Sequence, residues 1–264
     1  MQLPTHESHL DKFVIVARTF LGNRIRNVVE CGARDCAETL AFHELLPEAE
    51  IFAFECNPDT LPLCRDSVGG IDKIHLLECA VSDKAGSVTF FKIDPSRTRT
   101  TWSDGNPGAS SLLQASGNYP VEDYAQTAVT VASVTLSEFM ASAGLDAIDL
   151  LWMDIQGAEL LALEGLVPSI GQVKMIHLEV EFIEVYIGQP VWADVYRFLK
   201  KHGFRLLTFT TFGKYSADAV FVNRSLVSVR RRLLPDQLVY YRFLSERKLR
   251  GLFWRVRKAI FRSE

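Results

Sequence analysis

The chain has 264 residues, of which 48% are hydrophobic and 23% are charged, with a formal net charge of −3 at pH 7. This composition excludes a disordered or fibrous chain and suits an enzyme-sized domain with a large core. No uncharged apolar run reaches the roughly 18 residues that a membrane span needs, and the N-terminus lacks a basic start followed by an apolar stretch. We therefore expect a cytoplasmic protein. Its five cysteines, an odd number without C-x-x-C spacing, indicate reduced thiols.

Strands and helices alternate along most of the chain. Strands are predicted at 27–31, 50–55, 74–81, 87–93, 128–134, 148–154, 174–182, 204–211 and 217–223. Helices are predicted at 9–21, 36–46, 58–68, 136–143, 157–166 and 190–202. The alternation predicts an α/β fold with a seven-stranded, mainly parallel sheet, one antiparallel strand from the closing hairpin, and helices on both faces. We divide the chain into an N-terminal helical segment (1–26), a central domain (27–224) and a C-terminal extension (225–264).

The first two predicted strands carry a nucleotide-binding pattern. The sequence VVECGARDC at 28–36 is an apolar strand with Glu30 near its end, a turn at Gly32 and the start of a helix. The sequence IFAFECNPD places Glu55 at the end of the next strand. A carboxylate at this position can accept hydrogen bonds from both ribose hydroxyls. We therefore expect Glu55 to bind the ribose of an adenosine-containing ligand.

The residues after Gly32 distinguish between nucleotides. A dinucleotide site needs glycines at the first, third and sixth positions of the turn, but 33–37 contain none. A carboxylate at Glu30 repels phosphate, whereas it attracts the ammonium and sulfonium groups of S-adenosylmethionine. The sequence thus favours S-adenosylmethionine as the cofactor. An oxidoreductase that binds NAD stays as an alternative.

The segment 94–118 is too long and polar for a simple connection. Long loops of compact domains are commonly lids or binding loops, so we predict that this segment covers the site. Within it, Ser110 and Ser111 are candidates for hydrogen bonds with a ligand, and Arg97 and Arg99 for contact with an anionic acceptor. A disordered insertion is the alternative.

Acidic residues end two further strands. Asp154 follows the buried strand IDLLWM, at the edge of the sheet where ligands bind in open α/β folds. In the strand MIHLEVEF, Glu179 and Glu181 are candidates for a general base or for binding substrate hydroxyls, because acids in a buried strand cost free energy unless they are used or paired. His177 is interpreted as a core residue. Although the three acids could hold a divalent cation, no metal is predicted.

The C-terminal residues 230–264 have a composition of their own. They contain eleven Lys or Arg against three Asp or Glu, a net charge of +8. Aromatic and basic residues recur there at helical spacing, which predicts a basic amphipathic helix. Such a helix binds an anionic membrane or a partner protein, or it packs on its own acidic domain. A basic face alone does not predict nucleic-acid binding.

Taken in order, seven motifs resemble the FkbM family of S-adenosylmethionine-dependent methyltransferases, from about Val28 to Asn223. They are VVECGARDC, AFECNPD, LLECAVSDKAGSVTFF, GASSLL, VTLSEF, IDLLWMDIQGAELLALEGL and the segment from IHLEVEF to LKKHGF. The resemblance implies a Rossmann-like methyltransferase fold and methyl transfer to a hydroxyl oxygen of a sugar, glycan or natural product. It implies cofactor contacts at Glu30, Gly32, Glu55, Asn57, Ala80 and Val81. It also implies a reaction site lined by Ser110, Ser111, Asp154 and Gly157.

Three positions depart from the family pattern. Cys36 stands where glycine is usual, Ser137 where aspartate is common, and Gln156 where glutamate is frequent. We expect Asp154 or Glu179 to accept the proton of the acceptor hydroxyl, with Asp154 also beside the cofactor. Gln156, Gly157 and Glu181 are predicted to contact the acceptor. A non-catalytic module that binds the cofactor, or that only associates through its basic extension, is a further alternative.

Overall fold

The computed structural model describes residues 8–227, 238–239 and 242–245. Its helices are α1 (His9–Leu21), α2 (Ala37–Leu45), α3 (Leu61–Val68), α4 (Leu136–Ser142), α5 (Glu159–Gly165) and α6 (Trp192–Lys201). Its strands are β1 (Asn27–Cys31), β2 (Glu50–Phe54), β3 (Ile74–Leu77), β4 (Ala80–Val81), β5 (Gly86–Ile93), β6 (Gln126–Val134), β7 (Ile148–Met153), β8 (Val173–Glu181), β9 (Phe204–Phe212) and β10 (Ser216–Asn223).

Seven strands form the main sheet in the order β3-β2-β1-β7-β8-β10-β9. Strand β10 runs antiparallel to both of its neighbours, and the pairs from β3 to β8 are parallel. The central strand β7 is buried along its whole length because helices cover both faces of the sheet. The predicted α/β architecture is therefore confirmed, including its one antiparallel strand.

A second sheet of three strands, in the order β4-β6-β5, departs from the predicted strand bounds. The predicted strand 74–81 is divided, because the chain turns at 78–79 and β4 pairs with β6 instead of continuing β3. The strands predicted at 87–93 and 128–134 pair with each other and lie outside the main sheet. Strand periodicity reports which side chains are buried, but it does not report which sheet a strand joins.

Helix α1 packs on one face of the main sheet. Its Phe13 and Val14 are buried in one hydrophobic cluster with Leu150 of β7 and Val220 of β10. The predicted core role of His177 agrees with this packing, since its ring stacks on Trp152 at a centroid distance of 3.9 Å and burial lowers its pKa well below the usual value. Helices α4, α5 and α6 contribute to the cluster on the other face. The boundaries drawn at 26/27 and 224/225 stay predictions.

Part of the C-terminal extension contacts the central domain. Residues 238–239 and 242–245 are helical. Val239 is buried, and the ring of Phe243 lies 5.3 Å from that of Phe209 and 5.9 Å from that of Phe212. The other residues of the predicted basic helix lie outside the described residues. Within the described part of the chain, no helix has the length and hydropathy required to cross a membrane.

Candidate active site

A cavity of about 440 Å³ opens at the carboxyl ends of the parallel strands. Gly32, Glu55 and Asp154, which follow β1, β2 and β7, line one side of it. The other side is formed by residues of the connection between β5 and β6, including Trp102 and Tyr124. Segment 94–118 therefore borders the cavity, as the sequence predicts.

Glu55 is held rigidly at the cavity wall. Its Oε2 accepts a hydrogen bond from the backbone N–H of Arg34 at 2.7 Å, and its Oε1 accepts from those of Cys56 at 2.9 Å and Asn57 at 2.6 Å. Burial raises the pKa of this carboxyl group, while the three hydrogen bonds oppose the shift. Because each carboxylate oxygen accepts more than one hydrogen bond, Glu55 retains acceptor capacity toward the cavity.

Gly32 allows the ends of β1 and β7 to approach closely. A Cβ atom at this position would lie 2.1 Å from the carbonyl oxygen of Asp154, and the glycine has a φ of +91°. The N–H of Asp154 donates to the carbonyl of Cys31 at 3.0 Å, which fixes the two strand ends together. The turn therefore requires glycine for both space and backbone conformation.

Glu30 is fully buried but is not among the residues that line the cavity. Its Oε2 accepts a hydrogen bond from the Thr39 hydroxyl at 2.5 Å, whereas its Oε1 has no partner among the described residues. Burial raises its pKa well above the usual value. The structure therefore does not place Glu30 at the cavity surface, and its predicted contact with the cofactor stays a prediction.

Three carboxyl groups lie side by side across the end of the sheet. Asp154 follows Met153, which pairs with Leu178, so Asp154 is adjacent to Glu179. Glu179 pairs directly with Asp218 of β10. Burial raises the pKa of all three groups, and neighbouring carboxyl groups raise the pKa of Asp154 and Glu179 further. Asp154 and Glu179 line the cavity and Asp218 is not among the lining residues, so two of the three carboxyl groups face a ligand bound there.

Gln156 connects two of these carboxyl groups. Its Nε2 donates to Asp154 Oδ1 at 2.7 Å and to Glu179 Oε2 at 3.2 Å. Both acids predicted as catalytic, together with Gln156, line the cavity. Residues predicted near the ends of separate strands therefore lie close together in the tertiary structure.

Glu181 and Gly157 are not among the lining residues, although both were predicted to contact the acceptor. Glu181 is buried, and its pKa is raised well above the usual value. A Cβ atom on Gly157 would lie 2.9 Å from the side chain of Gln189, so this glycine provides space for a buried side chain. Because residues two apart on a strand share a face, strand alternation does not separate Glu181 from Glu179; Glu181 lies two residues further along β8 and is enclosed there.

The two predicted serines hold the loop rather than present free hydroxyls. Ser110 lines the cavity, but its Oγ donates to Pro107 O at 2.7 Å and accepts from Ile93 N–H at 3.0 Å. Ser111 is not among the lining residues, and its Oγ donates to the backbone carbonyl of Gln156 at 2.7 Å. Both hydroxyls therefore fix the loop against its surroundings. Asn57, Ala80 and Val81, by contrast, line the cavity as expected.

Arg97 and Arg99 do not line the cavity, although the sequence suggested that they meet an anionic acceptor. Arg97 forms an ion pair with Asp94 at 2.6 Å, and Arg99 lies 3.5 Å from Asp123. Because each arginine lies beside an acid, both are neutralised locally.

Several lining residues of the connection between β5 and β6, residues 94–125, here called the covering loop, were not predicted from the sequence. Trp102, Tyr119, Glu122 and Tyr124 line the cavity, with the Tyr124 hydroxyl donating to Glu122 at 2.5 Å. Trp102 is 55% exposed, and the guanidinium carbon of Arg34 lies 5.7 Å from its ring centroid. The signal that could have found them was a local concentration of aromatic and acidic residues in a polar loop.

The charge of the cavity is strongly asymmetric. Among the described residues that line it, six carry carboxyl groups, namely Asp35, Glu38, Glu55, Glu122, Asp154 and Glu179. One of these described lining residues, Arg34, carries a guanidinium, and it forms an ion pair with Asp104 at 2.6 Å. The site therefore favours cationic and neutral ligands over polyanions.

The described residues contain no group of three or more His, Cys, Asp or Glu side chains arranged to hold a metal ion. The acidic row is instead organised by an amide, since Gln156 bridges two of its carboxyl groups.

Comparisons with known proteins identify the class. A family model described as the methyltransferase FkbM domain matches residues 30–206. The chain therefore belongs to the FkbM methyltransferase family, which confirms the resemblance seen in the sequence.

Individual proteins that are similar to this chain have low sequence identity to it. The chain is 28% identical over 164 residues to the 2-O-methyltransferase NoeI of Sinorhizobium fredii, covering 61% of this chain and 66% of NoeI. It is similar to the solved structure of methyltransferase FkbM from Methylobacillus flagellatus, with 13% identity, 75% of this chain and 43% of that chain covered, and a TM-score of 0.48. The N-terminal domain of EvdMO1 with SAH bound is 14% identical, with 83% and 82% covered and a TM-score of 0.43.

Proposed function

We propose that this protein is an S-adenosylmethionine-dependent O-methyltransferase that acts on a hydroxyl group of an uncharged acceptor such as a sugar, glycan or natural product. The observation that carries the proposal is the excess of carboxyl groups in a cavity that begins at the glycine turn of an FkbM domain. A positively charged methyl donor suits this cavity, whereas the pyrophosphate of NAD does not.

The residues present fit the cofactor. Glu55 offers a fixed carboxylate for two ribose hydroxyls, and Gly32 lines the same cavity where its turn packs against the Asp154 carbonyl. Ala80 and Val81 supply an apolar surface suited to the adenine ring. S-adenosylmethionine, when bound there, supplies an electrophilic methyl carbon.

Catalysis by this chain depends on positioning and on accepting a proton. The acceptor hydroxyl must lose its proton as its oxygen becomes methylated, and Asp154 and Glu179 lie in the cavity with carboxyl groups suited to accept it. Residues that hold the acceptor oxygen beside a bound S-adenosylmethionine would contribute several kcal/mol, on the order of the effects found for well-oriented reactants.

The acceptor class follows from the same charges. The covering loop provides Trp102 and Tyr119 as aromatic surfaces and Glu122 as a hydrogen-bond acceptor. Carbohydrates present apolar ring faces and hydroxyl donors, which match such a surface. The similarity to NoeI, whose name describes a 2-O-methyltransferase, supports transfer to oxygen.

Titration calorimetry separates the proposal from its alternatives. We expect S-adenosylmethionine and S-adenosylhomocysteine to bind, NAD not to bind, and Glu55→Ala to weaken cofactor binding by at least about tenfold because a charge-assisted hydrogen-bond acceptor is lost. Glu50→Ala, which removes an exposed-edge carboxylate that pairs with His75, is the control. Preferential binding of NAD would contradict the proposal.

Mass spectrometry then tests the acceptor. Neutral methyl glycosides should gain one CH₂ unit, and the corresponding uronic acids should react more slowly because their carboxylates are repelled. Cofactor binding without transfer to any hydroxyl acceptor would favour a non-catalytic module.

A further inference from the structure

Gln156 occupies the junction between two acidic side chains and the covering loop. It lies between β7 and α5, and its amide nitrogen is within hydrogen-bonding distance of Asp154 Oδ1 and Glu179 Oε2, at 2.7 and 3.2 Å. A primary amide has two N–H bonds, so one can be donated to each carboxylate. The amide group therefore has one N–H donor for each of the two carboxylates between which it lies.

The other end of the amide is fixed by Tyr186. The Tyr186 hydroxyl lies 3.0 Å from Gln156 Oε1 and 2.8 Å from the carbonyl oxygen of Ala109, which belongs to the covering loop. Tyr186 is fully buried. The single phenolic proton is shared between these two oxygens, so the amide orientation is set by the carboxyl groups of Asp154 and Glu179, which accept from its nitrogen and leave Oε1 facing the Tyr186 hydroxyl.

The backbone of Gln156 is held in an unusual conformation. Its φ is +55°, in the left-handed region that residues other than glycine seldom adopt. The Ser111 hydroxyl donates to its carbonyl oxygen at 2.7 Å. The loop residues Ala109 and Ser111 therefore meet both the side chain, through Tyr186, and the main chain of Gln156.

We infer that Gln156 is a positioning residue that holds the carboxylates of Asp154 and Glu179 in one geometry and links that geometry to the covering loop. The activity part of this inference depends on the proposed function. The link among Asp154, Gln156 and Glu179 does not depend on the proposed function, because it is defined by hydrogen bonds alone.

A carboxylate at position 156 would remove both donors and add a like charge. The groups that interact electrostatically with Asp154 or Glu179 are His9, Arg34, Tyr119, Tyr124, Glu159, Glu181, Tyr186 and Asp218. Most are acidic or neutral, so an additional carboxylate there would be favoured in its protonated form.

Thermal unfolding as a function of pH tests the link without any acceptor. An unfolded glutamate titrates near pH 4.3, and the carboxyl group introduced by Gln156→Glu would titrate at a higher pH in the folded variant. Relative to the native protein, this variant should therefore lose stability progressively above about pH 4.3, with its Tm deficit growing by at least about 3 °C between pH 5 and pH 8. The matched control is Gln172→Glu, which adds the same charge at an exposed position. Its Tm difference from the native protein should be nearly constant between pH 5 and pH 8.

Methyl transfer provides the second readout. With an acceptor found by mass spectrometry, Gln156→Glu should reduce kcat at least about tenfold at pH 8, with a smaller change in the KM for S-adenosylmethionine. The deficit in kcat should narrow as the pH falls, because a protonated carboxyl group regains one donor. Gln156→Asn, which keeps the amide but shortens its reach, should remain impaired at every pH.

The outcomes separate the two proposals. A pH-dependent Tm deficit without methyl transfer by the native protein would leave the link intact and reject the proposed function. Methyl transfer by the native protein, together with Gln156→Glu showing the same pH profiles as Gln172→Glu, would overturn the positioning role.

Discussion

At the scale of single residues, the main feature of this protein is a set of buried carboxyl groups whose pKa values are raised. Glu159 at the start of α5 is buried, accepts a hydrogen bond from Ile155 N–H at 2.9 Å, and has its pKa raised to about 8 by burial. Glu179 and Glu181 have raised pKa values from the same main cause. The carboxyl groups in and behind the site therefore ionise at a higher pH than ordinary carboxyl groups.

Replacing Glu159 by Gln should make stability less dependent on pH. In the unfolded chain Glu159 titrates near 4.3, so its protonated folded form stabilises the protein at low pH and this contribution is lost as the pH rises toward about 8. Glutamine keeps an oxygen for Ile155 N–H and does not ionise. We expect the Tm of Glu159→Gln to rise relative to the native protein between pH 5 and pH 8, by about 2–4 °C for each kcal/mol gained.

The control for this change is Glu164→Gln, which alters an exposed carboxyl group on the same helix. Its Tm difference from the native protein should be small and nearly independent of pH. Equal pH profiles for the two variants would show that burial of Glu159 does not control the pH dependence.

Asp154→Asn and Glu179→Gln test the proton acceptor. Loss of the general base should lower kcat by roughly 10²-fold or more. Because burial raises both pKa values, the native kcat should fall on acidification at a pH above the ordinary carboxyl range, and the variant that lacks the base should lose this limb. Native kcat in both variants would place the base elsewhere.

At the scale of elements, the βα turn and the covering loop are linked through Arg34. Its backbone N–H donates to Glu55, while its guanidinium contacts Trp102 and forms an ion pair with Asp104. One residue thus contacts both the carboxylate proposed to bind ribose and the loop that borders the cavity. This arrangement predicts that loop closure can be weakened without removing the hydrogen bond to Glu55.

Arg34→Ala should loosen the covering loop. The lost ring contact and ion pair are partly exposed and together contribute about 1 kcal/mol, which corresponds to a roughly fivefold change in the opening equilibrium. Limited proteolysis should show faster cleavage within 94–118. Arg97→Ala is the control, because it removes an exposed ion pair beside Asp94 and should leave cleavage nearer the native rate; equal acceleration by both variants would refute a specific role for Arg34.

For the whole molecule, sheet packing extends beyond the family-matched region. Helix α1 covers one face through Phe13 and Val14, and the described part of the C-terminal extension places Val239 and Phe243 near β9. These contacts favour the interpretation that at least part of the extension packs on its own domain. Association of 230–264 with a membrane or a partner stays a prediction.

Truncation after residue 229 tests this packing. Removing Val239 and Phe243 exposes apolar surface on Phe209 and Phe212, and we expect a loss of about 1–3 kcal/mol and a lower Tm. Truncation after residue 245 keeps these contacts and should remain close to the native Tm. If both truncated proteins unfold at the native temperature, the described helical residues do not stabilise the domain.

The order of strands and helices, the antiparallel hairpin and the acids at the strand ends were all available from the sequence. They follow from local periodicity and from turn chemistry, which act over a few residues. For the same reason the sequence by itself indicates Glu55, Asp154 and Glu179 as site residues. The family match likewise rests on motifs that are contiguous in the chain.

Only the tertiary structure decided how these pieces meet. In the structure the strand predicted at 74–81 is two strands, and the strands predicted at 87–93 and 128–134 belong to a second sheet. The reason is that pairing partners distant in sequence fix where a strand lies. The tertiary structure also directed the hydroxyls of Ser110 and Ser111 into the loop and brought Tyr186 to the amide of Gln156. A side chain's neighbours depend on the meeting of remote segments, and no local pattern contains that information.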